Sequence, residues 1–237
     1  MFSRLIASAT GVPRQSTGAR LLERMTNATQ IDDRREAISD FKELSATEPI
    51  RLVDKGGMAV LVGLLAEEDT RITRDTLECL SNLVDPDVPR SGDGGGGDVD
   101  REKVTTKAKH NAGVFLTNET YLTAVMHSSQ DNDMHVRFHA IQLVMKLLSR
   151  ARGQTQQAVL NQPSTVGHVL DLANDRREIV RNEVLLLLAS LSEGSAPLQN
   201  ILAFQGAFEQ LLGIIEAESE AADEDGGGGG GGGGGGF

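Results

Sequence analysis

Asp175-Arg176-Arg177-Glu178-Ile179-Val180-Arg181-Asn182-Glu183-Val184-Leu185-Leu186-Leu187-Leu188-Ala189-Ser190-Leu191 is the stretch on which the reading turns. An acid comes first, an arginine follows, and Val184, Leu187 and Leu191 continue at three- and four-residue steps, which sets one apolar stripe on one helix face. Three earlier segments repeat that order. Asp32-Asp33 precede Arg35, then Ile38, Phe41 and Leu44; Asp69 precedes Arg74, then Leu77, Leu80 and Leu83; Asp133 precedes Val136-Arg137, then Ala140, Leu143 and Leu147.

The arginines at 35, 74, 137 and 181 are 39, 63 and 44 residues apart. Armadillo and HEAT repeats run roughly 40 to 47 residues. The long interval holds Asp85 to Asp100, with Pro86, Pro89, Gly92 and Gly94 to Gly97, and reads as an inserted disordered loop. Such an insertion is cheap, since closure entropy rises by only about 0.6 kcal/mol per doubling of loop length. A second apolar helix precedes each acidic start from the second onward: Met58 to Leu65, Tyr121 to Met126 and Val166 to Leu172, with Phe208 to Ile215 closing the series. A helix pair cannot bury its apolar face alone, so the expectation is an all-α, armadillo- or HEAT-like α-solenoid of about four repeats. Its parts are a flexible arm over 1–20, a solenoid over 21–217 interrupted by the loop at 85–103, and an acidic, polyglycine tail over 218–237. Thr26 and Asn27 are candidate caps for the first repeat helix, Gly56-Gly57 a helix junction, and Pro163-Ser164 a helix first turn.

The chain has 237 residues, with 23 Lys and Arg against 34 Asp and Glu, a net charge of -11. That excess argues against nucleic acid as a partner, because neutralising phosphates needs a basic face. Sixteen of the 27 glycines fall in the loop and in the run from Gly226 to Gly236, so the remainder has ordinary globular composition. One cysteine, Cys79, excludes a disulfide framework and fits a reducing compartment. No apolar run reaches the roughly 18 to 20 residues that span a bilayer. Residues 1–22 hold Arg4, Arg14 and Arg20 and no acid, the composition of a mitochondrial transit peptide, but Gly11, Pro13 and Gly18 interrupt any long helix and favour a short arm.

Sites for chemistry are few. His135 and His139 stand four apart on a helix, a spacing that can hold zinc, yet no Glu follows His135 and no third ligand is evident. Packing or surface roles suit them better. The Gly92 to Gly97 run lacks the Lys and Ser or Thr of a phosphate loop and carries an acid. Arg101, Lys103, Lys107 and Lys109 form a small basic cluster that reads first as a solvated face and second as a contact for an acidic partner or lipid headgroups. Cys79 lies beside the apolar stripe and reads as a packing residue. No catalytic residues, cofactor or metal are assigned. The repeat arginines Arg35, Arg74, Arg137 and Arg181 are read as structural, each held by an Asp or Glu of its own or the adjacent repeat and fixing the stacking register.

Four stretches carry a family resemblance: Ile31 to Ala37, Met134 to Phe138, Arg177 to Leu187 and Ala203 to Ile215. Across roughly 21–218 the sequence resembles the armadillo head of the general vesicular transport factor family, which tethers vesicles at the Golgi. The resemblance implies that the arm from Met1 is the normal start of such a head. It also implies a non-catalytic, cytoplasmic protein, peripheral on Golgi membrane and transport vesicles, that acts between endoplasmic reticulum and Golgi before fusion. The partners it implies are a Rab GTPase, SNAREs and golgin-type tethers, with a homodimer, no nucleic acid, and only indirect membrane association. Family heads run through further repeats into a coiled coil, and no heptads occur here, so the polyglycine reads as a chain ending before its fold does. A truncated gene model, a fragment and a shortened paralogue all fit that reading. The alternative is a general armadillo adaptor, such as a chaperone nucleotide-exchange factor.

Overall fold

A computed structural model describes residues 16–47, 55–85 and 101–226. Among them there are eleven helices and no strand. They are α1 (Thr17–Asn27), α2 (Ile31–Thr47), α3 (Lys55–Leu64), α4 (Thr70–Val84), α5 (Arg101–Leu116), α6 (Glu119–Ser128), α7 (Met134–Leu160), α8 (Pro163–Leu172), α9 (Glu178–Ser192), α10 (Ala196–Phe204) and α11 (Ala207–Gly226). The chain divides into two compact units, Met1–Ala151 and Arg152–Phe237. Ala151, at φ -146° and ψ 52°, leaves helical geometry and interrupts α7 at that division.

In the first unit α1 packs on α2 and α3, α2 and α3 pack on α4, α4 on α5, and α6 on both α3 and α5. In the second, α8 packs on α9, α9 on α10 and α10 on α11. The apolar stripes are the reason. Ile38 and Phe41 of α2, Leu77, Leu80 and Leu83 of α4, Ala140, Leu143 and Leu147 of α7, and Val184, Leu187 and Leu191 of α9 are all fully buried. Only Leu44 of the expected stripe stays half-buried.

The acids ahead of α4 and α7 act as caps. Asp69 accepts from the Ile72 N–H at 3.0 Å, and Asp133 accepts from His135 N–H at 2.7 Å and Val136 N–H at 3.3 Å. These are N–H groups that no carbonyl within the helix reaches. Pro163 stands in the first turn of α8, as its spacing predicts.

Several limits differ from the sequence reading. Ser16 caps α1, accepting from the Ala19 N–H at 3.2 Å, so helix begins inside the 1–20 arm. Thr26 and Asn27 end α1 instead of capping α2, and Thr26 Oγ1 donates back to the Leu22 carbonyl at 2.9 Å. Gly56 and Gly57 lie in the first turn of α3. Of the 85–103 loop, Asp85 is the C-cap of α4, Arg101 to Lys103 open α5, and 86–100 fall outside the described residues. Helix α11 runs to Gly226, past the expected limit at 217, and 227–237 lie outside the described residues, as do 1–15 and 48–54. The expected two-helix repeat gains a member: α5, α6 and the start of α7 form one three-helix repeat, and the end of α7, α8 and α9 form the next. Three helices per repeat is the armadillo form.

Candidate protein-interaction face

Each repeat turns sharply before its long helix, and one side chain ties that turn down. Arg137 lies six residues after Asp131 and donates to its carbonyl at 2.9 Å and to that of Asn132 at 3.0 Å. Arg181 donates to the Asp175 carbonyl at 3.0 Å, and Arg34 to the Ala28 carbonyl at 2.8 Å, both again six residues back. At the remaining turn Thr73 Oγ1 donates to the Glu67 carbonyl, six back, at 3.3 Å. All four donors are the fourth residue of their helix. They reach carbonyls left over near the end of the preceding helix, where a cation is also favoured by the helix dipole. The repeated position is therefore 34, 73, 137 and 181, one residue earlier than Arg35 and Arg74 in the first two repeats.

Arg35 and Arg74 point elsewhere. Arg35 Nε donates to Asp69 Oδ2 at 3.1 Å, across to α4, and its NH1 lies 2.9 Å from Asp32. That hydrogen bond, opposed by burial and helped by the Ile72 N–H, holds the Asp69 carboxyl below its ordinary range. Arg34 NH1 meets Glu67 at 2.6 Å. Arg74 lies on α4 beside Asp75 at 3.6 Å and Glu78 at 4.0 Å. Of the four expected arginines, Arg35 thus pairs with an acid of the next repeat, Arg74 lies beside acids of its own helix, and Arg137 and Arg181 tie back to carbonyls.

Arg74 belongs to a row of charges crossing α2, α4 and α7. Lys42 Nζ donates to Asp75 Oδ1 at 2.7 Å and lies 3.4 Å from Glu78 Oε2, and His139 Nε2 lies 3.4 Å from Glu78 Oε1. Asp75 is buried while Lys42, Glu78, Arg74 and His139 remain partly open to solvent. Burial works to lower the Lys42 pKa, but its bond to Asp75 and the charges of Asp75 and Glu78 outweigh this and raise it. For His139 burial wins, with the charges of His135, Arg74 and Lys42 adding to it against Glu78, and the imidazole titrates below its ordinary value. Asn82 Nδ2 extends the row by donating to Ser45 Oγ at 3.0 Å.

The pairs of this row are already formed, and Lys42, Glu78, Arg74 and His139 still reach solvent. His135 is exposed and His139 faces Glu78, and among the described residues no three His, Cys, Asp or Glu could hold a metal. Cys79 is fully buried, and burial pushes its thiol up, so it stays protonated. An open cleft of about 450 Å³, lined by Ile31, Ala66, Glu67, Glu68 and Asp69, offers carboxylates of which Glu67 and Asp69 are already bonded to arginines. Among the described residues no helix is long and apolar enough to cross a membrane.

No family model matches the chain. Golgin candidate 6 of Arabidopsis thaliana is 30% identical over 204 residues, 84% of this chain and 21% of that protein. General vesicular transport factor p115 of Bos taurus and that of Homo sapiens are each 30% identical over 209 residues, 85% of this chain and 21% of theirs. The chain is a homologue of the general vesicular transport factors. It spans 21% of the length of these relatives. In fold it matches the solved structure of Uso1-2, with a TM-score of 0.70 and 24% identity over 91% of this chain and 34% of that one. The structure of Uso1-1 gives 0.66 and 22% over 84% and 32%.

Proposed function

We propose that this chain is a non-catalytic docking segment of a vesicle-tethering factor, acting in transport between endoplasmic reticulum and Golgi. The observation that carries it is the 30% identity to p115 over 209 residues, 85% of this chain. The charged row on α2, α4 and α7 supports it, because paired but partly exposed charges suit specific and reversible protein contact better than chemistry. The partners on this reading are a Rab GTPase, SNAREs and golgin-type tethers, with homodimerisation, and the site of action is the cytoplasmic face of Golgi membranes and transport vesicles, held there through protein partners. Purified chain is incubated with Rab GTPases loaded with GTP or GDP and captured. Nucleotide-dependent binding of one Rab, reduced by Lys42→Glu with Arg74→Glu, is the expected result; no nucleotide-dependent partner, or capture of a chaperone instead, overturns it.

A further inference from the structure

Helix α4 has neighbours on both sides. Lys42 of α2 bonds Asp75 at 2.7 Å, while His139 of α7 lies 3.4 Å from Glu78 and Arg150 of α7 donates to Asp85 at 2.7 Å. From Arg71 to Asp85 every position is buried except Arg71, Arg74, Glu78, Asn82 and Asp85. Steps of three, four, four and three residues set these five on one line along the helix. The same line recurs on α7 as His135, Phe138, Gln142, Lys146 and Ser149, and none of them is buried. Both flanking helices of α4 are in place, so what it leaves open is the free surface of a completed repeat.

The line carries unmatched cations and unused amides. Its acids are matched: Asp85 holds Arg150, Glu78 is shared by Lys42 and His139, and Asp32, at the corresponding position of α2, lies 2.9 Å from Arg35. The cations are not. The nearest carboxylate oxygens stand 3.9 Å from Arg71 and 3.6 Å from Arg74, and among the described residues neither guanidinium, nor the Lys146 ammonium, donates a hydrogen bond. Asn82 spends Nδ2 on Ser45 and leaves Oδ1 without a donor, and the Gln142 carboxamide makes no hydrogen bond among the described residues.

We propose that this line on α4 and α7 docks an extended, acidic segment of a partner protein. That assignment rests on the reading of the charged row as a docking surface and adds the chemistry of what docks. Carboxylates of the segment meet Arg71, Arg74 and Lys146, and its backbone N–H and C=O groups meet the carboxamides of Asn82 and Gln142. Only an extended chain has such backbone groups to offer, because those of a helix are bonded internally. Packed helices lie about 8 to 10 Å apart and an extended residue spans about 3.3 Å, so an acid held on α4 places the residue about three positions on over Phe138. An anionic membrane or a nucleic acid is disfavoured, since the net charge of -11 repels a broad anionic surface far more than a short segment.

The probe is a fluorescein-labelled peptide, SDEDGGFDEDS, titrated against the 237-residue chain by anisotropy, with SNQNGGFNQNS as its uncharged counterpart. The expected result is saturable binding of the acidic peptide alone, weakened by salt, that falls at least about tenfold in an Arg71→Glu, Lys146→Glu variant and severalfold in Gln142→Ala. Lys109→Glu, in the separate basic cluster of α5, leaves it unchanged. Should the double variant lose its helical melt, a benzophenone in place of the peptide's phenylalanine decides the matter on wild-type chain, with cross-links expected within 135–146. Absence of binding, equal binding of the two peptides, equal binding by wild type and double variant, cross-links elsewhere, or loss through Lys109→Glu each overturn it. So do phosphatidylserine vesicles that displace the peptide, and a concentration-dependent dimer dissolved by Arg71→Glu. Nucleotide-dependent Rab capture without peptide binding overturns this assignment and leaves the tethering reading standing; peptide binding without Rab capture does the reverse.

Discussion

Two sets of cations in this molecule look alike in sequence and do different work. Arg137 and Arg181 fold back on backbone carbonyls of their own turns, whereas Lys42 and Arg74 meet carboxylates across a row that stays partly open. A carbonyl has no alternative once the turn is formed, and water reaches Arg137 poorly, for it is only 6% exposed. A carboxylate in the row has a second cation nearby, and Glu78 also reaches water. The first set therefore holds the fold, and the second offers charges that a partner can engage without undoing it.

Removing Arg137 tests the fold side of that distinction. Arg137→Ala loses two charge-assisted hydrogen bonds, and at about 1.5 to 3 kcal/mol each, discounted because Asn132 is exposed, the expected loss is about 2 to 4 kcal/mol, or on the order of 5 to 10 °C in melting temperature. Arg181→Ala moves in the same direction by less, since Arg181 is half-buried. Calorimetry on both variants checks this. An Arg137→Ala protein as stable as wild type would erase the difference between the two sets.

Asp75→Asn probes the other side. It keeps the shape of a buried side chain and removes its charge, leaving Lys42 with Glu78 at 3.4 Å as a second acceptor. The expected cost is about 1 to 2 kcal/mol, below the roughly 3 to 5 of a fully buried pair because Lys42 reaches solvent. Its pH signature is distinctive. Lys42 is raised in the folded state, so its contribution is present below the ordinary lysine pKa and is lost as pH rises through the folded value. Denaturant midpoints from neutral to alkaline pH should fall for wild type and fall less for Asp75→Asn.

Sequence periodicity made the stripes legible because burial follows the helix period strictly: Leu77, Leu80 and Leu83 are as buried as their spacing requires. It misplaced the tied position in two repeats for a physical reason. In those repeats the buried positions three places after Arg34 and Thr73 are held by the small residues Ala37 and Thr76, so the large apolar stripe begins one residue later, at Ile38 and Leu77, and an arginine, Arg35 or Arg74, stands three places before it. Counting from the helix start finds the position in all four repeats, and Thr73 shows that a hydroxyl can take the arginine's place. Helices α1, α5 and α10 were less legible. Part of the burial in α1 and α5 falls on small residues, Gly18 in α1 and Ala108 and Ala112 in α5, while the nine-residue α10 buries only Leu198 and Leu202, so no broad apolar stripe announces them. The charged row was invisible to spacing, since it joins residues 33 to 61 positions apart through the packing of α2, α4 and α7.

His139 gives the smallest effect and the sharpest sign. Its folded pKa lies below the ordinary histidine value near 6.5, chiefly through burial, despite Glu78 at 3.4 Å. Between the folded and unfolded values the unfolded chain binds more protons, so stability rises with pH there, and falling pH from about 6.5 erodes it. His139→Gln removes the titration while keeping a polar group toward Glu78, so the variant should lose less stability than wild type between pH 7.5 and 5.5. Denaturant midpoints at the two pH values read it directly. A wild-type protein that gains stability on acidification would mean that the Glu78 pair, and not burial, governs this position, and the charged row would then be tied into the fold as firmly as the turn arginines.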